Sequence, residues 1–143
     1  MLNFKIHHIS INVSDITKSK KFYLLFDFVE CHTYASENED LKIIHLAGGN
    51  CIIELFCYSV APRQRTISSE IKHNEFIGID HFSLQTDNIE NAYEILGKYI
   101  PNDNGIQSGR TGIRYFFIAD PDGNQIEIVE DKRELRLTKN MIK

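Results

Sequence analysis

The sequence predicts an α+β protein made of two βαβββ modules, and an internal repeat is the first observation behind this prediction. His8 and Glu54 lie 46 residues apart, and so do His81 and Glu127. A shift of 73 residues lays one pair onto the other without a gap, which indicates a duplicated unit. The second observation is an apolar–polar alternation with a period of two, which is typical of half-buried strands.

The first module is predicted over residues 6–58. Alternation over Phe4–Val13 predicts a strand with His8 on its polar face. Ser14 and Asp15 can cap the N-terminus of a helix over Lys18–Phe26. Three more strands complete the module, and a turn at Gly48-Gly49-Asn50 joins the last two: Val29–Tyr34, Leu41–Ala47 and Cys51–Tyr58.

The second module, residues 79–130, repeats this order. A strand over Ile79–Thr86 is followed by caps at Asp87 and Asn88 and a helix over Ile89–Tyr99 that Pro101 ends. A short strand near 106 and a closing hairpin follow, the latter formed by Arg114–Ala119, the turn Asp120-Pro121-Asp122-Gly123, and Asn124–Glu130. The chain 1–143 is expected to form a single domain of these two modules, forming an open curled sheet, with residues 59–78 as the connector.

Each module should bury the apolar face of its first strand against its helix. The residues expected in these contacts are Ile9, Ile11, Val13, Phe22, Leu25 and Phe26 in the first module and Phe82, Leu84, Tyr93 and Leu96 in the second.

Composition narrows the classes of partner and the cellular location. The net charge of −4 and the pI near 5.8 give no electrostatic reason to expect nucleic acid or an anionic membrane. No apolar stretch approaches a membrane span, and the N-terminus lacks the pattern of a secretory signal. Three cysteines without CxxC spacing are expected to be reduced and buried or half-buried, so the expected location is cytoplasmic.

The histidine–glutamate pairs carry the chemistry. Glu54 and Glu127 lie in apolar strands, where a carboxylate must be paired, bound to metal or protonated. Two imidazoles and two carboxylates suit one divalent ion such as Ni²⁺, Zn²⁺, Co²⁺, Mn²⁺ or Fe²⁺, and open positions would make the site catalytic. The predicted metal ligands are His8, Glu54, His81 and Glu127.

Four polar residues share the strand faces of the two histidines and are predicted to bind substrate: Ser10, Asn12, Ser83 and Gln85. They could line the cavity and orient a small molecule or a metal-bound water. The alternative is that they are only polar side chains on a wet concave sheet.

These segments together resemble the vicinal oxygen chelate superfamily, also called the glyoxalase/bleomycin resistance/dioxygenase superfamily. The resemblance extends from Ile6 to Asp131 and rests on IHHISINVSD, Phe22-Tyr23, IEL, DHFSLQTDNIE and ADPDGNQIEIVE. It implies paired βαβββ modules around one divalent ion, with ligands from the first and last strand of each module.

The complete His/Glu/His/Glu set is similar to that of glyoxalase I, which converts a hemithioacetal to a thioester by proton transfer through an enediolate. The resemblance implies that Glu127 is the base. Two departures weaken the assignment: Asn12 stands where glyoxalase I usually has arginine, and the first helix lacks the usual Leu-Gly after it.

The alternatives are an enzyme like methylmalonyl-CoA epimerase, with which Arg63 and Arg65 of the connector agree, and a non-catalytic small-molecule-binding member of the superfamily. We expect a homodimer, because the edges of two small sheets need cover. The sequence leaves open whether the site forms within one chain or across two.

Overall fold

The structure, a computed structural model, describes residues 4, 6–62 and 77–133. The predicted connector helix and the C-terminal tail fall outside the described residues. The elements of the first module are β1 (His8–Asn12), α1 (Ile16–Tyr23), β2 (Val29–Ala35), β3 (Leu41–Gly48) and β4 (Cys51–Tyr58). Those of the second are β5 (Phe82–Gln85), α2 (Ile89–Leu96), β6 (Gln107–Ser108), β7 (Arg114–Ala119) and β8 (Gln125–Glu130).

The described residues form two four-stranded mixed sheets with the same topology. The strand order is β1-β4-β3-β2 in the first module and β5-β8-β7-β6 in the second. The first and last strands of each module pair in parallel, and the other neighbours are antiparallel. The predicted α+β class with two βαβββ modules is therefore confirmed. The parallel pairing places the histidine strand beside the glutamate strand in both modules.

The repeat holds at a shift of 73 residues for the first and last strands, but not for the strand between them. Ile9 pairs with Ile53, and Phe82 pairs with Ile126, which preserves that shift. In the closing hairpins, however, Ala47 pairs with Ile52 while Ala119 pairs with Gln125. The expectation that both hairpins superpose at 73 was wrong for β7, because the second loop is one residue longer.

Helix α1 begins where the sequence offers a cap. Asp15 has an extended backbone, and its carboxylate accepts hydrogen bonds from the backbone N–H groups of Thr17 and Lys18. These bonds, first that of Lys18, lower the pKa of Asp15. A short 3₁₀ turn, Leu24–Phe26, follows the helix and ends at Asp27, whose φ of 59° is left-handed.

The face of the first sheet opposite His8 carries the core. Its buried side chains come from all parts of the module except β2: Ile11, Val13, Phe22, Tyr23, Phe28, Ile44, Leu46, Ile53 and Leu55. Leu25, which was expected to pack in this core, is 51% exposed because it lies in the 3₁₀ turn beyond the helix. Cys31 is exposed, contrary to expectation, since β2 is exposed along its whole length.

Helix α2 follows the same plan. Asn88 is the N-cap, and its side-chain oxygen accepts a hydrogen bond from the Asn91 backbone N–H. A 3₁₀ turn, Gly97–Tyr99, ends the helical segment before Pro101. The buried apolar residues of the second module are Ile89, Leu96, Phe116, Ile118, Ile126 and Ile128.

The chain divides into two compact units. The first contains the described residues of Met1–Ile71 together with the turn Asp120–Gly123, and the second contains those of Lys72–Ala119 and Asn124–Lys143. The single-domain assignment stays a prediction. Among the described residues, no helix is long and apolar enough to cross a membrane.

Candidate metal and catalytic site

The first module brings His8 and Glu54 together on the polar face of its sheet. Strand pairing sets Ser10 beside Glu54, and His8 lies two residues earlier on the same face. The His8 Nε2 and Glu54 Oε2 atoms are 3.5 Å apart, and the side chain of Glu54 is only 16% exposed. This part of the site is as predicted in its residues and strands.

A second imidazole, which was not predicted, also contacts Glu54. His45 on β3 is paired with Glu54 across the antiparallel ladder. Its Nε2 lies 2.9 Å from Glu54 Oε1, so each carboxylate oxygen faces a different histidine.

The second module brings His81 and Glu127 together in the equivalent way. The His81 Nε2 and Glu127 Oε2 atoms are 3.5 Å apart. The Ser83 hydroxyl donates a hydrogen bond of 2.5 Å to Glu127 Oε2. Glu127 itself is 9% exposed, between the buried Ile126 and Ile128. Burying a carboxylate this far requires polar partners, and Ser83 and His81 supply them.

The imidazole of His81 is held from its other side. Asp80 Oδ2 lies 2.6 Å from His81 Nδ1, so this nitrogen donates to the carboxylate and Nε2 faces Glu127. A carboxylate behind a histidine fixes its tautomer and ring orientation, as is common at metal sites. The ring also packs edge-on against Phe117, with centroids 5.0 Å apart.

The remaining predicted substrate-binding residues lie on the same strand faces. Ser10 and Asn12 on β1 and Gln85 on β5 are exposed, as is Ser83. Within the described residues, Ser10 makes no hydrogen bond to Glu54, although its position in β1 corresponds to that of Ser83 in β5. Ser83 therefore has a structural partner that Ser10 lacks.

A small cavity lies in the second module beside the candidate base. Its volume is about 150 Å³, and Phe117 and Gln125, which precede Glu127 across and along the hairpin, contribute to its wall. The rest of its lining is mainly amide side chains and aromatic rings: Asn102, Asn104, Gln107, Tyr115 and Phe116. This composition suits a polar organic group.

In the described part of the chain, no three His, Cys, Asp or Glu side chains are arranged to hold a metal ion on their own. The structure brings the predicted ligands together as two pairs, one in each module. Their assembly into a single four-residue set stays a prediction.

Two residues of this site were missed in the sequence, for different reasons. His45 could have been found, because a two-residue hairpin at Gly49-Asn50 fixes the register and places residue 45 opposite Glu54. Asp80 gave no such signal. Neighbours on a strand point to opposite faces, and Asp80 can reach His81 only because both precede the start of β5 at Phe82.

Comparison with known proteins places this architecture. The family model described as Glyoxalase/Bleomycin resistance protein/Dioxygenase superfamily matches residues 5–128. The uncharacterised protein YwkD of Bacillus subtilis is 32% identical over 134 residues, covering 91% of this chain and 99% of that protein.

Solved structures agree on the fold. A glyoxalase family protein from Enterococcus faecalis has a TM-score of 0.70 at 23% identity, covering 88% of this chain and 97% of that one. The trypanothione-dependent glyoxalase I of Leishmania major has a TM-score of 0.64 at 22% identity, covering 98% and 91%.

Paired βαβββ modules with a histidine on the first strand and a glutamate on the last define the class of this protein. The chain belongs to the glyoxalase/bleomycin resistance protein/dioxygenase superfamily.

Proposed function

We propose that this protein is a divalent-metal-dependent lyase/isomerase of the glyoxalase I type, which converts a hemithioacetal to a thioester. The observation that carries this proposal is the duplicated histidine–glutamate pair, with 3.5 Å between nitrogen and oxygen in each module. Members of the superfamily commonly use a divalent metal ion and bind small molecules. No described side chain other than these two pairs repeats this combination at equivalent strand positions.

The donor atoms fit a metal ion. Two donors at roughly 2.0–2.2 Å from one ion lie roughly 3.0–3.4 Å from each other in octahedral or tetrahedral geometry. The observed 3.5 Å in each pair is close to this spacing and long for a hydrogen bond. The four residues that would hold the ion are His8, Glu54, His81 and Glu127, and their nitrogen and oxygen donors suit Ni²⁺, Zn²⁺, Co²⁺, Mn²⁺ or Fe²⁺.

A divalent ion bound there would supply Lewis-acid stabilisation of the negative charge that develops on the substrate oxygens. The proton transfer itself belongs to Glu127. Its carboxylate removes the proton from the carbon that bears the hydroxyl and the sulfur, and then returns a proton to the adjacent carbon. The hydroxyl loses its proton as the thioester carbonyl forms, so the product is an isomer of the substrate.

The protein surroundings of Glu127 support this role. The Ser83 hydroxyl and the oriented imidazole of His81 fix the carboxylate, and the apolar neighbours exclude water around it. A positioned general base contributes typically 10²–10⁴-fold to the rate.

Asn12 favours a second candidate. It is exposed near the end of β1 and offers no positive charge for the carboxylate of glutathione, for which glyoxalase I usually has arginine. An epimerase acting on an acyl-CoA would use the same proton transfer beside a carbonyl, with Glu127 again as the base.

The test combines metal analysis with two substrates. We expect about one divalent ion per His8/Glu54/His81/Glu127 set, and isomerisation of the methylglyoxal–glutathione hemithioacetal by the loaded protein. Glu127→Gln should reduce kcat by about 10²–10⁴-fold. Glu94→Gln, the same chemical change on the exposed surface of α2, should leave the rate unchanged.

Proton–deuterium exchange on an acyl-CoA alone would select the epimerase instead. Failure on both substrates would reduce the protein to a metal-dependent binding protein. Unchanged metal content in both Glu54→Gln and His81→Ala would contradict the metal site itself. The expected homodimer is checked by sedimentation of the same samples, and a monomer at micromolar concentration would contradict it.

A further inference from the structure

The two candidate carboxylate ligands are held in different ways. Glu54 faces an imidazole at each oxygen, with His45 at 2.9 Å from Oε1 and His8 at 3.5 Å from Oε2. Only the shorter of these contacts has the length of a hydrogen bond. His45 Nε2–H therefore donates to one oxygen and leaves the other directed at His8.

The second module has no counterpart of His45. The residue paired with Glu127 across its hairpin is Phe117, whose ring cannot donate a hydrogen bond. The corresponding bond comes instead from Ser83 on the neighbouring parallel strand. His45 is thus specific to the first module and is not a repeated feature of the architecture.

The contact is not needed to hold the sheet together. Strand β3 is hydrogen-bonded along its length to β2 on one side and to β4 on the other. The His45 side chain is 27% exposed and lies on the face opposite the buried Ile44 and Leu46. Its defined interaction on that face is with Glu54, beside a ring contact with His32 at 5.5 Å.

We propose that His45 is a positioning residue that fixes the rotamer of Glu54 and presents a single oxygen, Oε2, to a divalent cation. This inference rests on the proposed metal site. Holding one oxygen removes the rotational freedom that the carboxylate would otherwise lose when it binds the ion. Hydrogen-bond partners behind metal ligands typically contribute 10–100-fold to metal affinity.

The test measures Co²⁺ binding rather than turnover. In His45→Phe, which copies the residue of the second module, the Kd for Co²⁺ should rise about 10–100-fold, with a changed visible absorption spectrum. His45→Gln can place an amide N–H near the position of Nε2 and should restore most of the affinity and the spectrum. His32→Gln, a neighbouring histidine that does not contact Glu54, should behave as the wild type.

A shorter polar variant keeps the test decisive if His45→Phe does not fold. The amide of His45→Asn is too short to reach Glu54 Oε1, so this variant should bind Co²⁺ as weakly as His45→Phe, while His45→Gln binds well.

The outcomes separate the two proposals. Wild-type affinity and spectrum in folded His45→Phe or His45→Asn would overturn the role of His45 and leave the metal site intact. Weak binding in His45→Gln that equals that in His45→Asn would also overturn it, since the donor would then be irrelevant. No Co²⁺ binding by the wild-type protein would overturn the metal site, and the role of His45 with it.

Discussion

Ser83 and His45 do the same work at two different places in the fold. Each donates a hydrogen bond to a glutamate that lies on the last strand of its module. Ser83 reaches Glu127 from the parallel neighbour, and His45 reaches Glu54 from the antiparallel neighbour. A candidate ligand in this protein is thus oriented by whichever adjacent strand offers a donor.

Ser83 gives a prediction with a built-in control. Ser83→Ala removes the hydroxyl that orients Glu127 and should reduce kcat/KM of the metal-loaded protein about 10–100-fold on whichever substrate it turns over. Ser10→Ala is the same change at the equivalent position of β1, where the glutamate is held by His45. It should change kcat/KM little. Equal losses in both variants would indicate that the two serines contact substrate instead.

The predicted site residues came from a repeat, and this explains which residues were found. The offset of 73 identifies pairs that occur twice, such as Glu54 with Glu127. It is blind to residues that occur in one module only. His45 and Asp80 are of that kind, because their partners come from a strand register and from the backbone before β5.

At the scale of elements, caps and turns were more informative than boundaries. Asp15 and Asn88 begin their helices as predicted. The first strand was predicted over Phe4–Val13 but spans His8–Asn12. Its length is set by the residues of β4 that are available for pairing, and local alternation carries no information about the partner strand.

The β3–β4 turn allows a test of what sets the register beside the site. Gly49 and Asn50 have φ values of 56° and 64°, the left-handed pair that a two-residue hairpin requires. Asn50→Ala places a less tolerant residue at a left-handed position and should lower the free energy of unfolding by about 1–2 kcal/mol. Asn50→Gly is the control, since glycine adopts this φ freely.

Urea denaturation of the two variants checks this prediction. Equal midpoints for Asn50→Ala and Asn50→Gly would mean that the turn conformation does not limit stability. A loss confined to Asn50→Ala would support the turn as the element that holds His45 opposite Glu54.

At the scale of the whole molecule, the module order was predictable and the long-range connections were not. Periodicity and the repeat predict strand, helix and three strands in each half of the sequence. The parallel pairing of β1 with β4 joins strands more than 40 residues apart, and no local pattern specifies it. The Asp120–Gly123 turn shows the same limit: it resembled a family motif, but its structural partner lies near the other end of the chain.

That partner is Tyr23 of α1, whose buried hydroxyl donates a hydrogen bond of 2.8 Å to Asp120 Oδ2. Asp120 is itself buried, and the same turn receives the Ser14 backbone N–H at Asp122 Oδ2, 3.1 Å away. Burial, and then the charge of Asp120, raise the pKa of Tyr23 far above its ordinary value of 10.0. The turn is therefore part of the first compact unit through polar contacts with a sequence separation of about a hundred residues.

Tyr23→Phe removes this hydroxyl and should lower the free energy of unfolding by about 1–3 kcal/mol at neutral pH, because a buried carboxylate loses a donor. Tyr34→Phe, at an exposed tyrosine, should change it little. The advantage of the wild type over Tyr23→Phe should shrink above pH 10, since the unfolded chain then releases the Tyr23 proton while the folded chain keeps it. Urea unfolding of the three proteins from pH 7 to pH 11 measures both effects. A pH-independent difference would show that the folded and unfolded states ionise alike at Tyr23, contrary to its buried contact with Asp120.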